Sequence, residues 1–152
     1  MTDTMSRSVE AIVSSLERIL VRRFRESLYR QVGHASSVTI RDGTYPVLSG
    51  LRHGPLTATE LSKRIGVDRT VISRQASELT TLGLVTRGPD PRDKRGGLLT
   101  LTPDGQAAAD RLGKAFAQLV KSATHDWPDV DRARFADRLN AFIAAVLDAE
   151  PS

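Results

Sequence analysis

The stretch GPLTATELSKRIGVDRTVISRQASELTTLGLVTR, Gly54 to Arg87, decides the fold. Thr57 and Glu60 stand at T-x-x-E spacing, where a hydroxyl and a carboxylate each satisfy an unpaired amide at a helix start, so a helix is expected there. Leu61 and Ile65 point inward along it. Gly66 ends it, because glycine takes the left-handed conformation of a tight turn without steric cost. Asp68 then caps a second helix. On that helix Ile72, Ala76 and Leu79 fall four and three apart and share the inner face, which leaves Arg69, Thr70, Val71, Ser73, Arg74 and Ser77 looking outward. Two short helices joined across I-G-V-D, the second offering Arg, Thr and Ser near its N-terminal end, fit a helix-turn-helix. Arginine can pair bidentately with guanine, and short hydroxyls can bond a base edge or a phosphate. A solvated polar face would explain solubility, but not the extended, cation-rich pattern downstream of Gly83.

After Gly83 the pattern turns extended. Leu84 to Arg87 and Leu98 to Leu101 read as the strands of a hairpin. Between them RGPDPRDKRGGL, Arg87 to Leu98, places four cations (Arg87, Arg92, Lys94, Arg95) and two carboxylates (Asp90, Asp93) in what reads as a long cationic tip. Thr102-Pro103-Asp104-Gly105 opens a further helix, with a threonine cap, proline in the first helical position and an acid in the first turn. Helix, turn, helix, hairpin, helix is the order of a winged helix-turn-helix.

The segment from Leu56 to Ala108 resembles the MarR family of bacterial transcription regulators. Asp93-Lys94-Arg95 matches the family's D-x-R wing, and Leu101-Thr102-Pro103-Asp104-Gly105 its L-T-x-x-G. The resemblance implies a homodimer with intertwined terminal helices, binding a palindromic operator in double-stranded DNA, more often as a repressor, and released by a small-molecule effector. On the recognition helix it assigns Arg69, Thr70, Ser73, Arg74 and Ser77 to DNA. On the wing it places Arg95 in a minor groove, with Arg92 and Lys94 on nearby phosphates. Asp93 then pairs with an arginine and braces the wing. The effector site stays unassigned, because Thr39 to Pro46 carries both Gly and Pro where relatives run a smoother second helix; the helix is expected to begin near Thr44.

Both ends are helical. Val9, Ile12, Val13, Leu16, Ile19, Leu20, Phe24 and Leu28 form one stripe of a single long helix, and Leu112 to Ala123 and Phe135 to Leu147 carry similar stripes, interrupted at Trp127-Pro128. Stripes of this length exceed what one compact middle domain would cover, so a helical layer shared by two subunits is expected. The fold class is mainly α (α+β), divided into an N-terminal dimerisation helix (1–36), a winged helix-turn-helix DNA-binding domain (37–105) and C-terminal dimerisation helices (106–152).

Bulk properties agree with this reading and exclude others. The 152 residues carry a net charge of +4 and a pI near 10.0, which favours a polyanionic partner. Absence of cysteine removes disulfides and thiolate metal sites. His34, His53 and His125 have no partners at metal-ligand spacing, and no nucleophile elbow, P-loop or dinucleotide fingerprint occurs, so neither catalysis nor a metal or other cofactor is expected. The start, MTDTMSRSVEAIVSSLERIL, lacks the apolar run of a signal peptide, and no stretch is long enough to span a membrane; a cytoplasmic protein is expected. A winged-helix protein-interaction module and a non-specific architectural DNA protein are the competing readings. Arg69, Arg74 and Arg95 favour sequence-specific DNA binding over both.

Overall fold

The computed structural model describes residues 2–39 and 43–148, the side chains of 2–4 and 93–96 excepted. In chain order the elements are α1 (Thr2–Leu20), α2 (Arg22–Ser36), α3 (Thr44–Leu51), β1 (Leu56–Thr57), α4 (Ala58–Ile65), α5 (Arg69–Thr81), β2 (Val85–Asp90), β3 (Asp93–Leu101), α6 (Pro103–Ala123) and α7 (Asp129–Asp148). They form two compact units, Met1–Phe116 and Ala117–Ser152.

The first unit is built around the helix-turn-helix. Thr57 and Glu60 close the expected capping box, Gly66 ends α4 at φ 67°, and the Asp68 carboxylate accepts the Thr70 amide at 2.7 Å to start α5. Leu61, Ile72 and Leu79 are fully buried with Leu51 of α3, Val85 and Leu99 of the sheet and Leu112 of α6. Each such side chain contributes roughly 1.5–3 kcal/mol through burial, so this cluster holds the unit together. Helix α3 begins at Thr44, as the sequence predicts, and Pro46 falls in its first turn, where a missing amide leaves no hydrogen bond unmade.

The sheet is antiparallel in the order β1-β3-β2. The two-residue β1, Leu56 and Thr57 opposite Leu99 and Leu98, has no sequence signal of its own. The expected long loop is mostly ladder: Gly88, Pro89 and Asp90 pair with Leu98, Gly97 and Asp93, so only Pro91 and Arg92 remain in the turn. Pro89 is tolerated because β2 is an edge strand, where an absent donor costs little. At the other end of the hairpin, the Thr102 amide donates to the Leu84 carbonyl at 3.0 Å and the Thr102 hydroxyl to the Gly83 carbonyl at 2.7 Å, which fastens the start of α6 to β2.

The single N-terminal helix expected over 1–36 is instead two. Val21, at φ −66° and ψ 133°, interrupts the ladder, and its carbonyl accepts the Phe24 amide at 3.0 Å to begin α2. A β-branched residue takes extended angles readily, and Val21 does so here without proline or glycine nearby. Along α1 and α2, Val9, Ile12, Val13, Ile19 and Phe24 all remain exposed.

In the second unit, α7 begins after Pro128 as expected. The Arg132 guanidinium donates to the Thr124 hydroxyl at 3.1 Å and to the Thr124 and Trp127 carbonyls at 2.9 and 3.2 Å, and the Trp127 ring meets Phe135 edge-on at 5.3 Å. Helix α7 has no buried residue; Phe135, Leu139, Phe142, Ile143, Val146 and Leu147 are 39–63% exposed along one stripe.

Candidate nucleic-acid interface

Helix α5 presents the face that its spacing predicts. Ile72, Ala76 and Leu79 are buried, Arg69, Thr70, Arg74 and Ser77 are exposed and Ser73 is half-buried. The Thr70 amide and hydroxyl, bonded to the Asp68 carboxylate, hold its pKa below the usual range, so the cap stays charged at the positive end of the helix. Ser77 is partly engaged already, its hydroxyl donating to the Ser73 carbonyl at 2.9 Å.

Two arginines of the hairpin have partners that sequence reasoning missed. The Arg87 guanidinium donates to the Ser73 carbonyl at 2.9 Å and lies 3.4 Å from the Ser77 hydroxyl, tying β2 to the recognition helix. Strand alternation carries a signal for this, since Arg87 shares a face with buried Val85.

Arg92, expected on a phosphate, sits between two carboxylates. Its Nη1 and Nη2 donate to Glu60 Oε1 and Oε2 at 2.9 and 3.2 Å, and its Nε and Nη2 to Asp90 Oδ1 and Oδ2 at 3.1 and 3.3 Å. The Arg92 backbone amide also donates to Asp90 Oδ1, at 2.9 Å. Glu60 is drawn from an ordinary 4.5 to about 2, first by its bond to Arg92 and then by the amide and hydroxyl of Thr57. Asp90, buried at 4% exposure, is lowered by the same arginine, whose own pKa is raised. The physical reason for this arrangement is proximity: a planar guanidinium bonds fixed carboxylates bidentately, and two lie within reach here. The side chains of Asp93, Lys94 and Arg95 lie outside the described residues; among the described ones, the wing carboxylate bonded to an arginine is that of Asp90.

Between α4, α5 and the hairpin lies a cleft of about 570 Å³, lined by Thr59, Arg69, Ser73, Arg87, Asp90 and Arg92 among others. Its lining mixes these charged and polar side chains with the apolar Ala58 and Leu99. Among the described residues no group of His, Asp or Glu side chains could hold a metal ion, and no helix is long and apolar enough to cross a membrane.

A profile of the MarR family matches residues 38–96, from the approach to α3 through the wing tip. The multiple antibiotic resistance protein MarR of Salmonella typhimurium is 37% identical over 99 residues, which cover 61% of this chain and 69% of that protein. The chain belongs to the MarR family. Its members are transcription regulators that bind DNA, and enzymatic chemistry is not their function. A crystal structure of a mutant MarR from E. coli complexed with operator DNA superposes at a TM-score of 0.68, with 26% identity, over 86% of this chain and 94% of that one. The PcaV transcriptional regulator of Streptomyces coelicolor, in complex with its natural ligand, gives 0.66 with 29% identity over 86% and 90%. The MarR-family winged helix-turn-helix is thus shared in sequence and in fold.

Proposed function

We propose that this MarR-family regulator is a homodimeric repressor that binds a palindromic operator and is released by a small molecule. The observation that carries the reading is the outer face of α5, where Arg69, Thr70, Ser73, Arg74 and Ser77 share one side of a helix whose other side is core. In the major groove the arginines would read guanine edges and the hydroxyls bases or phosphates. Lys94 and Arg95 on the wing would neutralise backbone charge or enter a minor groove, with Asp93 as brace.

The exposed stripes of α1 and α7 support the homodimer. Each leaves several large apolar side chains exposed on the single chain, and a second copy of the chain would cover both. Two heads in one dimer call for half-sites one helical turn, about 34–36 Å, apart or at multiples of it. The ligand complex of PcaV supports responsiveness to a small molecule.

Footprinting upstream of the protein's own gene tests the reading. A protected palindrome, bound at least about 10³-fold more tightly than random duplex at fixed salt, is the expected result. Equal affinity for the two would point to an architectural protein, and no binding to either would leave a protein-interaction module.

A further inference from the structure

The wing has a buried base and a largely exposed end. Val85 and Leu99 fix its base in the core. Beyond them Gly88, Pro89 and Gly97 are exposed, and a Cβ built at either glycine would meet nothing within 4 Å. A two-stranded ribbon is only marginally stable by itself. Among the described side chains, its tip makes one set of hydrogen bonds outside the hairpin: those from Arg92 to Glu60, in the first turn of α4.

The Arg92 guanidinium uses all three of its nitrogens on the two carboxylates. Arg92 with Glu60 and Asp90 has a net charge of −1, which a phosphate would not approach by choice. Glu60 is in turn held by α4, since its Oε2 accepts the Thr57 amide at 2.8 Å and the Thr57 hydroxyl at 3.0 Å. The connection therefore runs from the helix-turn-helix through Glu60 and Arg92 to Asp90 and the turn of the wing. Asp93 to Arg95 come directly after that turn, so where it is held sets where they start.

We infer that Glu60 is a positioning residue for DNA binding: through Arg92 it pins the wing tip to α4, and Arg92 is the pin of this clamp rather than a phosphate ligand. This rests on the DNA-binding reading above. It also opposes simple electrostatics, in which removal of a carboxylate from a DNA-facing surface strengthens binding.

The test uses the full-length protein, with affinity measured on operator and random duplex and amide hydrogen exchange measured without DNA. Glu60→Gln keeps an acceptor for the Thr57 amide, since glutamine also serves in a capping box, but loses the charge that holds Arg92. It is expected to weaken operator binding about tenfold and to speed exchange at the wing-tip amides while α4 stays protected. Arg92→Lys retains the positive charge without the planar fork, so it should fail to restore binding, whereas a phosphate ligand would tolerate it. Glu60→Gln added to Arg92→Ala should cost nothing further, because Glu60 acts through Arg92.

Unchanged or tighter operator binding by Glu60→Gln, or wild-type affinity in Arg92→Lys, overturns the clamp. Should Glu60→Gln also unprotect α4, Arg92→Lys decides the matter, since it leaves the capping box intact. A wild-type protein with no preference for any duplex would defeat the DNA reading instead, and the exchange measurement would still judge the clamp by itself.

Discussion

Alanine at Gly105 would set a methyl carbon 1.9 Å from the Leu84 carbonyl oxygen and 2.8 Å from its carbonyl carbon. Carbon and oxygen ordinarily approach to about 3.3 Å, so α6 must withdraw from β2 by more than an ångström. Nothing flexible can absorb the shift, because the obstacle is backbone. The withdrawal stretches the bonds from Thr102 to the Leu84 and Gly83 carbonyls, now 3.0 and 2.7 Å, out of hydrogen-bonding range. Overpacking of this kind costs about 1–3 kcal/mol, and each lost bond about 0.5–1.5 kcal/mol. The better helix propensity of alanine returns about 1 kcal/mol. The net expectation is a loss of about 3 kcal/mol, or a fall in Tm of about 10 °C for a chain of this size. Circular dichroism melts and urea titrations measure it, with Gly88→Ala as control, since a Cβ there enters open space. Stability of Gly105→Ala within about 0.5 kcal/mol of wild type would refute the argument, because it would mean that the strand and helix are not in contact as described.

Other outcomes rest on the same geometry. Arg74→Ala is expected to lose about 1–3 kcal/mol of discrimination at one operator position if Arg74 reads a guanine, whereas equal weakening on operator and random DNA would make it a backbone contact. Because folding lowers the pKa of Glu60 from 4.5 to about 2, the stability it contributes is complete above pH 4.5 and is lost as the pH falls toward 2. Acid titration of Tm should therefore show a shallower decline for Glu60→Gln than for wild type between those limits, and identical profiles would contradict the assignment. Leu139→Glu, which puts a charge on the exposed stripe of α7, is expected to shift the protein from dimer to monomer by light scattering; a wild-type monomer at micromolar concentration would remove the shared helical layer.

The parts of the fold legible in the sequence are those fixed by neighbours. Thr57 with Glu60, Gly66, Asp68, and Thr102 with Pro103 each mark a helix end through groups a few residues apart, and the structure has a boundary at each. Strand β1 is not legible because its two residues acquire their conformation from Leu98 and Leu99. The break at Val21 lacks the residues that usually announce one. The outer part of the hairpin reads as a loop because Gly88 and Pro89 are poor strand formers, and the edge position that admits them is a property of the sheet order. On the candidate site, the outer face of α5 follows from helical period alone. The pairing of Arg92 with Glu60 does not, because Glu60 is 32 residues away and only tertiary structure brings them together.

Thr57 belongs to two structures at once, as the residue of β1 opposite Leu98 and as the cap of α4. The first role depends on closing a long loop, while α4, α5 and the β2–β3 hairpin each close over short ones. In time, the local pieces therefore assemble first and the seam between β1 and β3 closes late. An interaction formed late governs the rate of opening far more than the rate of folding, so Leu56→Ala should steepen the loss of native protein with the refolding rate nearly untouched, as stopped-flow mixing can determine. Under heat or denaturant this seam is expected to part first.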